Sequence, residues 1–163
     1  MTTKTRQRFN ETKKILKNME ECEAIPIKNL QMTALGKFTT LDASKLGGFI
    51  ASLSSFLPSG GSIMGVLHKE YSKVKGFNEW YKKKQEVIKS DELLNKIKKL
   101  RNKSVHEGSI QPSLIISLNL STSQSKAQHF FRNKEKNTII DLCKEYLNKI
   151  EKLIKEVETK FGR

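Results

Sequence analysis

The sequence predicts an all-α fold, a single bundle of four to five helices over residues 1–163, with one short β-like excursion near 114–121. Three observations predict it. Apolar residues recur at three- and four-residue spacings over most of the chain, strand-like alternation is confined to one short stretch, and 163 residues suit one domain with one core. In chain order, residues 5–23 place Phe9, Ile15, Leu16 and Met19 at helical spacings, and Ala24-Ile25-Pro26 ends that helix. Leu41-Asp42 opens a second helix running to about Leu57, with Leu46, Phe49, Ile50, Leu53, Phe56 and Leu57 as its apolar positions. Pro58-Ser59-Gly60-Gly61-Ser62 reads as a turn, because proline and glycine are the strongest local punctuators. A third helix over about 63–76 follows, carrying Met64, Leu67, Tyr71 and Val74. Residues 77–105 read as one or two helices with Leu93, Leu94, Ile97 and Leu100 as a stripe. In Ile116-Ser117-Leu118-Asn119-Leu120-Ser121 apolar and polar residues alternate with period two, a strand pattern. A strand needs a pairing partner for its backbone, and residues 25–33 or a second subunit are the candidates. The last helix, about 134–160, keeps a seam of Ile139, Leu142, Cys143, Tyr146, Ile150, Leu153, Val157 and Phe161.

Composition narrows the function classes. Hydrophobic residues make up 36% and charged residues 29%, which argues against both a membrane protein and a disordered chain. No uninterrupted apolar run approaches the roughly 20 residues of a membrane-spanning helix, and the polar start MTTKTRQRFNETKK lacks the apolar stretch of a secretory signal. Two cysteines, Cys22 and Cys143, make neither a disulfide framework nor a zinc-ligand spacing, so the expectation is a cytoplasmic domain with no metal and no cofactor. Thirty-one Lys and Arg against 17 acids give +14, a balance that favours polyanionic partners and RNA or DNA first among them. The positive charge is concentrated. Residues 82–103 carry nine bases against three acids, a net of +6, and lead directly into Arg101–His106.

Several other features carry little chemistry. The glycine-rich stretch at 58–62 lacks the Gly-Lys-Ser/Thr ending of a phosphate-binding loop. His68 and His129 stand without neighbouring ligands and read as structural histidines. Trp80 and Tyr81 beside Lys82–Lys84 could stack on bases, but Phe77 and Trp80 share a face and read as anchors of their helix.

The segment Arg101-Asn102-Lys103-Ser104-Val105-His106-Glu107-Gly108 is different. It closes the basic helix and reaches a glycine that reads as a helix terminator. Asn102 and His106 are four residues apart, about 40° around a helix, so the amide can orient the imidazole. Arg101 and His106 are five apart, about 140° around, so an intact helix does not bring them into one compact pair. A working site needs the helix to end near His106, or a second copy of the motif facing the first. A guanidinium, an orienting amide and an imidazole are the groups required to cleave a phosphodiester without metal.

Arg101-Asn102-Lys103-Ser104-Val105-His106, an Arg, a polar residue, three others and a His, resembles the signature of the HEPN domain family. The resemblance covers this motif and the general pattern of helices around it. It implies a small helical bundle, a homodimer, and a metal-independent endoribonuclease of the kind found in toxin–antitoxin and phage-defence systems, with an antitoxin or defence protein as a further partner. Many toxin-type members carry Tyr two residues after the His, where this chain has Gly108. On that resemblance Arg101, Asn102 and His106 are the catalytic residues, and Lys96, Lys98, Lys99 and Lys103 bind flanking phosphates. The alternative from another class is a non-catalytic HEPN-like module that dimerises and binds RNA, a nucleotide or a partner protein. A basic structural protein with an accidental motif is the third.

Overall fold

The computed structural model describes residues 3–24, 43–108, 110–119, 124–132 and 136–162. Along the chain run α1 (Lys4–Ala24), α2 (Ala43–Tyr71), α3 (Phe77–Ser90), α4 (Glu92–His106), β1 (Ser113–Asn119), β2 (Gln124–Phe130) and α5 (Ile139–Phe161). The all-α bundle with a small β excursion is therefore what the chain forms. The helices pack around one large core, in which Met19 of α1, Phe49, Leu53, Phe56, Leu57 and Ile63 of α2, Ile97 of α4, and Ile139, Ile150 and Ile154 of α5 are fully buried. Burying each such side chain contributes about 2 kcal/mol, and this term outweighs any helix's own propensity. A smaller aromatic cluster closes one end of the bundle, where Leu67, Tyr71, Phe77, Trp80 and Val157 pack with Phe161. Trp80 is anchored there, its Nε1 donating to Glu156 at 2.9 Å, so the structural reading of Phe77 and Trp80 holds.

The turn expected at 58–62 does not exist. Helix α2 runs unbroken through Pro58, Gly60 and Gly61, joining the two helices the sequence suggests. The glycines serve close packing there. A Cβ on Gly60 would lie 3.1 Å from Tyr146 Cε1, and one on Gly61 would lie 3.0 Å from Arg101 Cγ. Bare backbone lets α4 and α5 approach α2 at these two positions, and the Tyr146 hydroxyl donates to the Gly60 carbonyl at 2.9 Å. The same helix qualifies the expectation about membranes. Taken by length and composition, Gly47–Tyr71 is apolar enough to cross one, because Ser and Gly interrupt its apolar residues without making it polar. In this fold its large apolar side chains supply the core.

Asp91 divides the stretch 77–105 into two helices. Its side chain accepts from the Leu94 backbone N–H at 3.0 Å as the N-cap of α4, and it receives Lys149 of α5 at 2.7 Å. Helix α5 begins later than the sequence suggests, at a capping box in which Thr138 and Asp141 bond each other reciprocally. The expected capping residues of α2, Leu41 and Asp42, lie outside the described residues.

The strand expected near 116–121 is β1, and its partner is β2, an antiparallel pairing from Ser113↔Phe130 to Asn119↔Gln124. Residues 25–33, one of the two proposed partners, lie outside the described residues. His129 ties the hairpin to the bundle. Its backbone N–H and its ring Nδ1 both lie 2.8 Å from the Glu23 carboxylate of α1, and its ring stacks on Phe49 with centroids 3.6 Å apart. It is a buried structural histidine, 3% exposed.

Candidate functional site at the end of α4

Helix α4 holds the motif and ends with it. Its last helical residue is His106, Glu107 is the C-cap, and Gly108 adopts a φ of 98°, the left-handed conformation that glycine supplies past a helix end. All of Arg101–His106 is helical, so the 140° offset between the ends of the motif applies in full. Leu93, Leu94 and Ile97 fix the rotation of α4 because they are its buried side. Arg101, half-buried, falls on that buried side, and His106 lies on the opposite, exposed side.

The two ends therefore meet different surroundings. The alkyl chain of Arg101 lies over bare Gly61 of α2. Its Nη1 donates to Asn102 Oδ1 at 3.1 Å, and its Nε is shielded from solvent without a hydrogen-bond partner among the described residues. His106 is exposed, as are Asn102, Lys99 and Lys103. On a helix, Lys99, Asn102, Lys103 and His106 are spaced i, i+3, i+4 and i+7, one continuous exposed stripe. The expected pairing of Asn102 with the imidazole is replaced by pairing with the guanidinium.

The four lysines do not act as one face. Lys99 and Lys103 share the His106 stripe, and Lys98 points with Arg101 towards a cleft. Lys96 lies with its Nζ 5.3 Å from the Phe131 ring centroid at the end of the hairpin, a cation–π contact. The +6 charge of 82–103 is also partly engaged by an acid from α5. Lys84 pairs with Glu156 at 2.8 Å, and this bond, with the Trp80 donor, holds the Glu156 carboxyl below its ordinary pKa against the opposing effect of burial.

The cleft is a part of the site that sequence reasoning missed. It has a volume of about 340 Å³ and opens between α2, α3, α4 and α5, with Arg101 and Lys98 on one wall and Gln85 and Lys89 of α3 on the other. Its signal in the sequence is partial: Tyr81, Gln85 and Ile88 recur at four and three residues, with Lys89 next to them, which marks one face of α3 and not a cleft. Among the described residues no three His, Cys, Asp or Glu side chains come together as metal ligands. Compared with known proteins, the chain matches no family model, no curated protein and no solved structure.

Proposed function

We propose that this protein is a metal-independent endoribonuclease of HEPN type whose active site is completed by a second copy of the chain. The observation that carries the reading is the arrangement at the end of α4. An exposed imidazole closes a stripe of Lys99, Asn102 and Lys103, while the guanidinium that must act with it sits about 140° away around the same helix. In a two-fold dimer with the α4 ends facing, Arg101 of one protomer meets His106 of its partner, and two equivalent sites form.

In this mechanism the ribose 2′-oxygen attacks the adjacent phosphorus and the 5′-oxygen leaves, giving a 2′,3′-cyclic phosphate and a 5′-hydroxyl. His106 accepts the 2′-hydroxyl proton or donates a proton to the leaving 5′-oxygen. Arg101 places its charge against the non-bridging phosphoryl oxygens, where charge develops in the transition state. Asn102 holds the guanidinium through the 3.1 Å bond to Nη1, and Lys99 and Lys103 take flanking phosphates on the same stripe. DNA lacks the nucleophilic hydroxyl and is spared.

The test is a labelled single-stranded RNA incubated in EDTA with wild type, His106→Ala and Arg101→Ala. Cleavage to a cyclic phosphate by wild type, and a loss of roughly a hundredfold or more in each variant, is expected. Cleavage only with added magnesium, or a His106→Ala variant as active as wild type, overturns the catalytic reading. It would leave the dimerising RNA- or partner-binding module, since a fold by itself does not confer activity.

A further inference from the structure

The cleft beside Arg101 has a composition that a general packing defect would not produce. Among the described residues that line it, three are cations, Lys89, Lys98 and Arg101, and none is an acid. Its inner surface is apolar, from Met64 of α2, Ile88 of α3, and Leu94 and Ile150. Gly65 adds a stretch of open floor, because a Cβ built there would meet nothing within 4 Å. Cations over an apolar pocket fit a ligand with two unlike parts, an anionic group and a hydrophobic or planar body.

Three further observations narrow the ligand. Asn102 holds Nη1 of Arg101, and Nε is shielded from solvent with no hydrogen-bond partner among the described residues, so the guanidinium brings its positive charge to the cleft wall rather than an open fork. Gln85, exposed on the opposite wall, offers a donor and an acceptor side by side. That pattern matches the hydrogen-bonding edge of a nucleobase, which an acyl chain does not offer. Finally, about 340 Å³ lies at the small end of ligand pockets, room for one base with its sugar and phosphate but not for a stacked pair or a duplex.

We propose that this cleft is a subsite for one unstacked nucleotide of a single-stranded RNA, its base against Met64 and Ile88 and its phosphate held by Lys98, Lys89 and Arg101. The proposal rests on the ribonuclease reading for the identity of the polymer, and its test does not require cleavage. Arg101 then links the two surfaces, since it lines the cleft while its Nη1 is held by the amide of the His106 stripe. Duplex RNA, whose bases are stacked and paired, is excluded from the subsite.

Binding of 5′-AMP is measured by calorimetry with wild type, Gly65→Leu, Gln85→Ala and Lys98→Gln, each checked for helical content by circular dichroism. Ribose 5-phosphate and a five-nucleotide single-stranded RNA serve as comparison ligands. The expected result is AMP binding that is at least tenfold tighter than ribose 5-phosphate, and competition by the short RNA. Gly65→Leu, which fills the floor, should weaken AMP at least tenfold. Gln85→Ala should weaken AMP severalfold but leave ribose 5-phosphate unchanged, and Lys98→Gln should weaken both. Ribose 5-phosphate binding as tightly as AMP, or a folded Gly65→Leu binding AMP like wild type, overturns the proposal. AMP binding without competition by RNA overturns it too, and assigns the cleft to a free nucleotide. AMP and RNA binding at the cleft without any cleavage retires the catalytic reading alone, and cleavage without AMP binding retires the subsite alone.

Discussion

Replacing Gly60 by Ala tests why two glycines sit in the middle of α2. In an unobstructed helix interior, Gly→Ala gains about 1 kcal/mol because alanine loses less backbone freedom on folding. At Gly60 the new methyl would lie 3.1 Å from Tyr146 Cε1, closer than the roughly 3.5–4.0 Å at which carbon atoms attract. Tyr146 has little freedom to retreat. Its ring is 4% exposed and packs edge-on against Phe56, and its hydroxyl is held by the carbonyl of Gly60 itself at 2.9 Å. Overpacking a rigid site costs about 1–3 kcal/mol, so Gly60→Ala should be destabilising by up to about 2 kcal/mol after the propensity gain is subtracted. Gly47 provides the control in the same helix, because a Cβ there meets nothing within 4 Å, and Gly47→Ala should stabilise by up to about 1 kcal/mol. Urea unfolding midpoints of the two variants at constant slope give the comparison. Equal stabilisation by both substitutions would show that Tyr146 yields freely and would refute the argument that close approach demands glycine.

Three further outcomes follow from the same contacts. Tyr146→Phe keeps the ring but removes the donor to Gly60, and a loss of about 1 kcal/mol of stability is expected, read from the shift of the urea midpoint at constant slope. Burial works to raise the Asp91 pKa, but the Lys149 hydrogen bond and the cap bond from Leu94 outweigh it and leave the carboxyl below its ordinary value. Its folded pKa being lower than its unfolded one, the charge stabilises above about pH 4 and that contribution disappears as pH falls through the lowered folded value. Asp91→Asn, which preserves a capping side chain, should therefore be less stable than wild type at pH 6 and converge with it in acid, as read from urea midpoints across that range. Affinity for single-stranded RNA should fall steeply with salt, with a log–log slope of roughly −3 if about four phosphates are contacted, and Lys99→Glu with Lys103→Glu should flatten it. A slope near zero would make the lysine stripe a solvated face only.

How far the sequence reached depended on what each residue signal reports. The helical seams of α1, α4 and α5 were legible because their buried residues repeat at helical spacing, as Leu142, Tyr146, Ile150, Ile154 and Val157 do. Pro58-Ser59-Gly60-Gly61-Ser62 was misread because glycine marks a turn and a close helix contact alike. The phase of the apolar positions held the answer. Phe49, Leu53, Phe56, Gly60, Ile63 and Leu67 advance by four, three, four, three and four residues, so one seam crosses the supposed turn with Gly60 occupying a core-facing position. The partner of β1 was illegible since Gln-Ser-Lys-Ala-Gln-His-Phe has no apolar alternation, and its buried face depends on His129 reaching Glu23, 106 residues away. At the motif, periodicity alone separated Arg101 from His106. The redirection of Asn102 towards Arg101 depends on a rotamer, and the cleft depends on how α3 and α4 cross, so neither could be read from spacing.

The composite site is tested most directly by mixing two inactive variants. Arg101→Ala and His106→Ala are unfolded together, refolded in equal amounts to randomise dimers, and assayed on single-stranded RNA in EDTA. If each site takes Arg101 from one protomer and His106 from its partner, half of the dimers are mixed and each mixed dimer holds one intact site of two. The mixture should then recover roughly a quarter of wild-type activity, whereas each variant alone stays inactive. A mixture as inactive as its components would contradict the account, because it would place both groups of a working site within one chain.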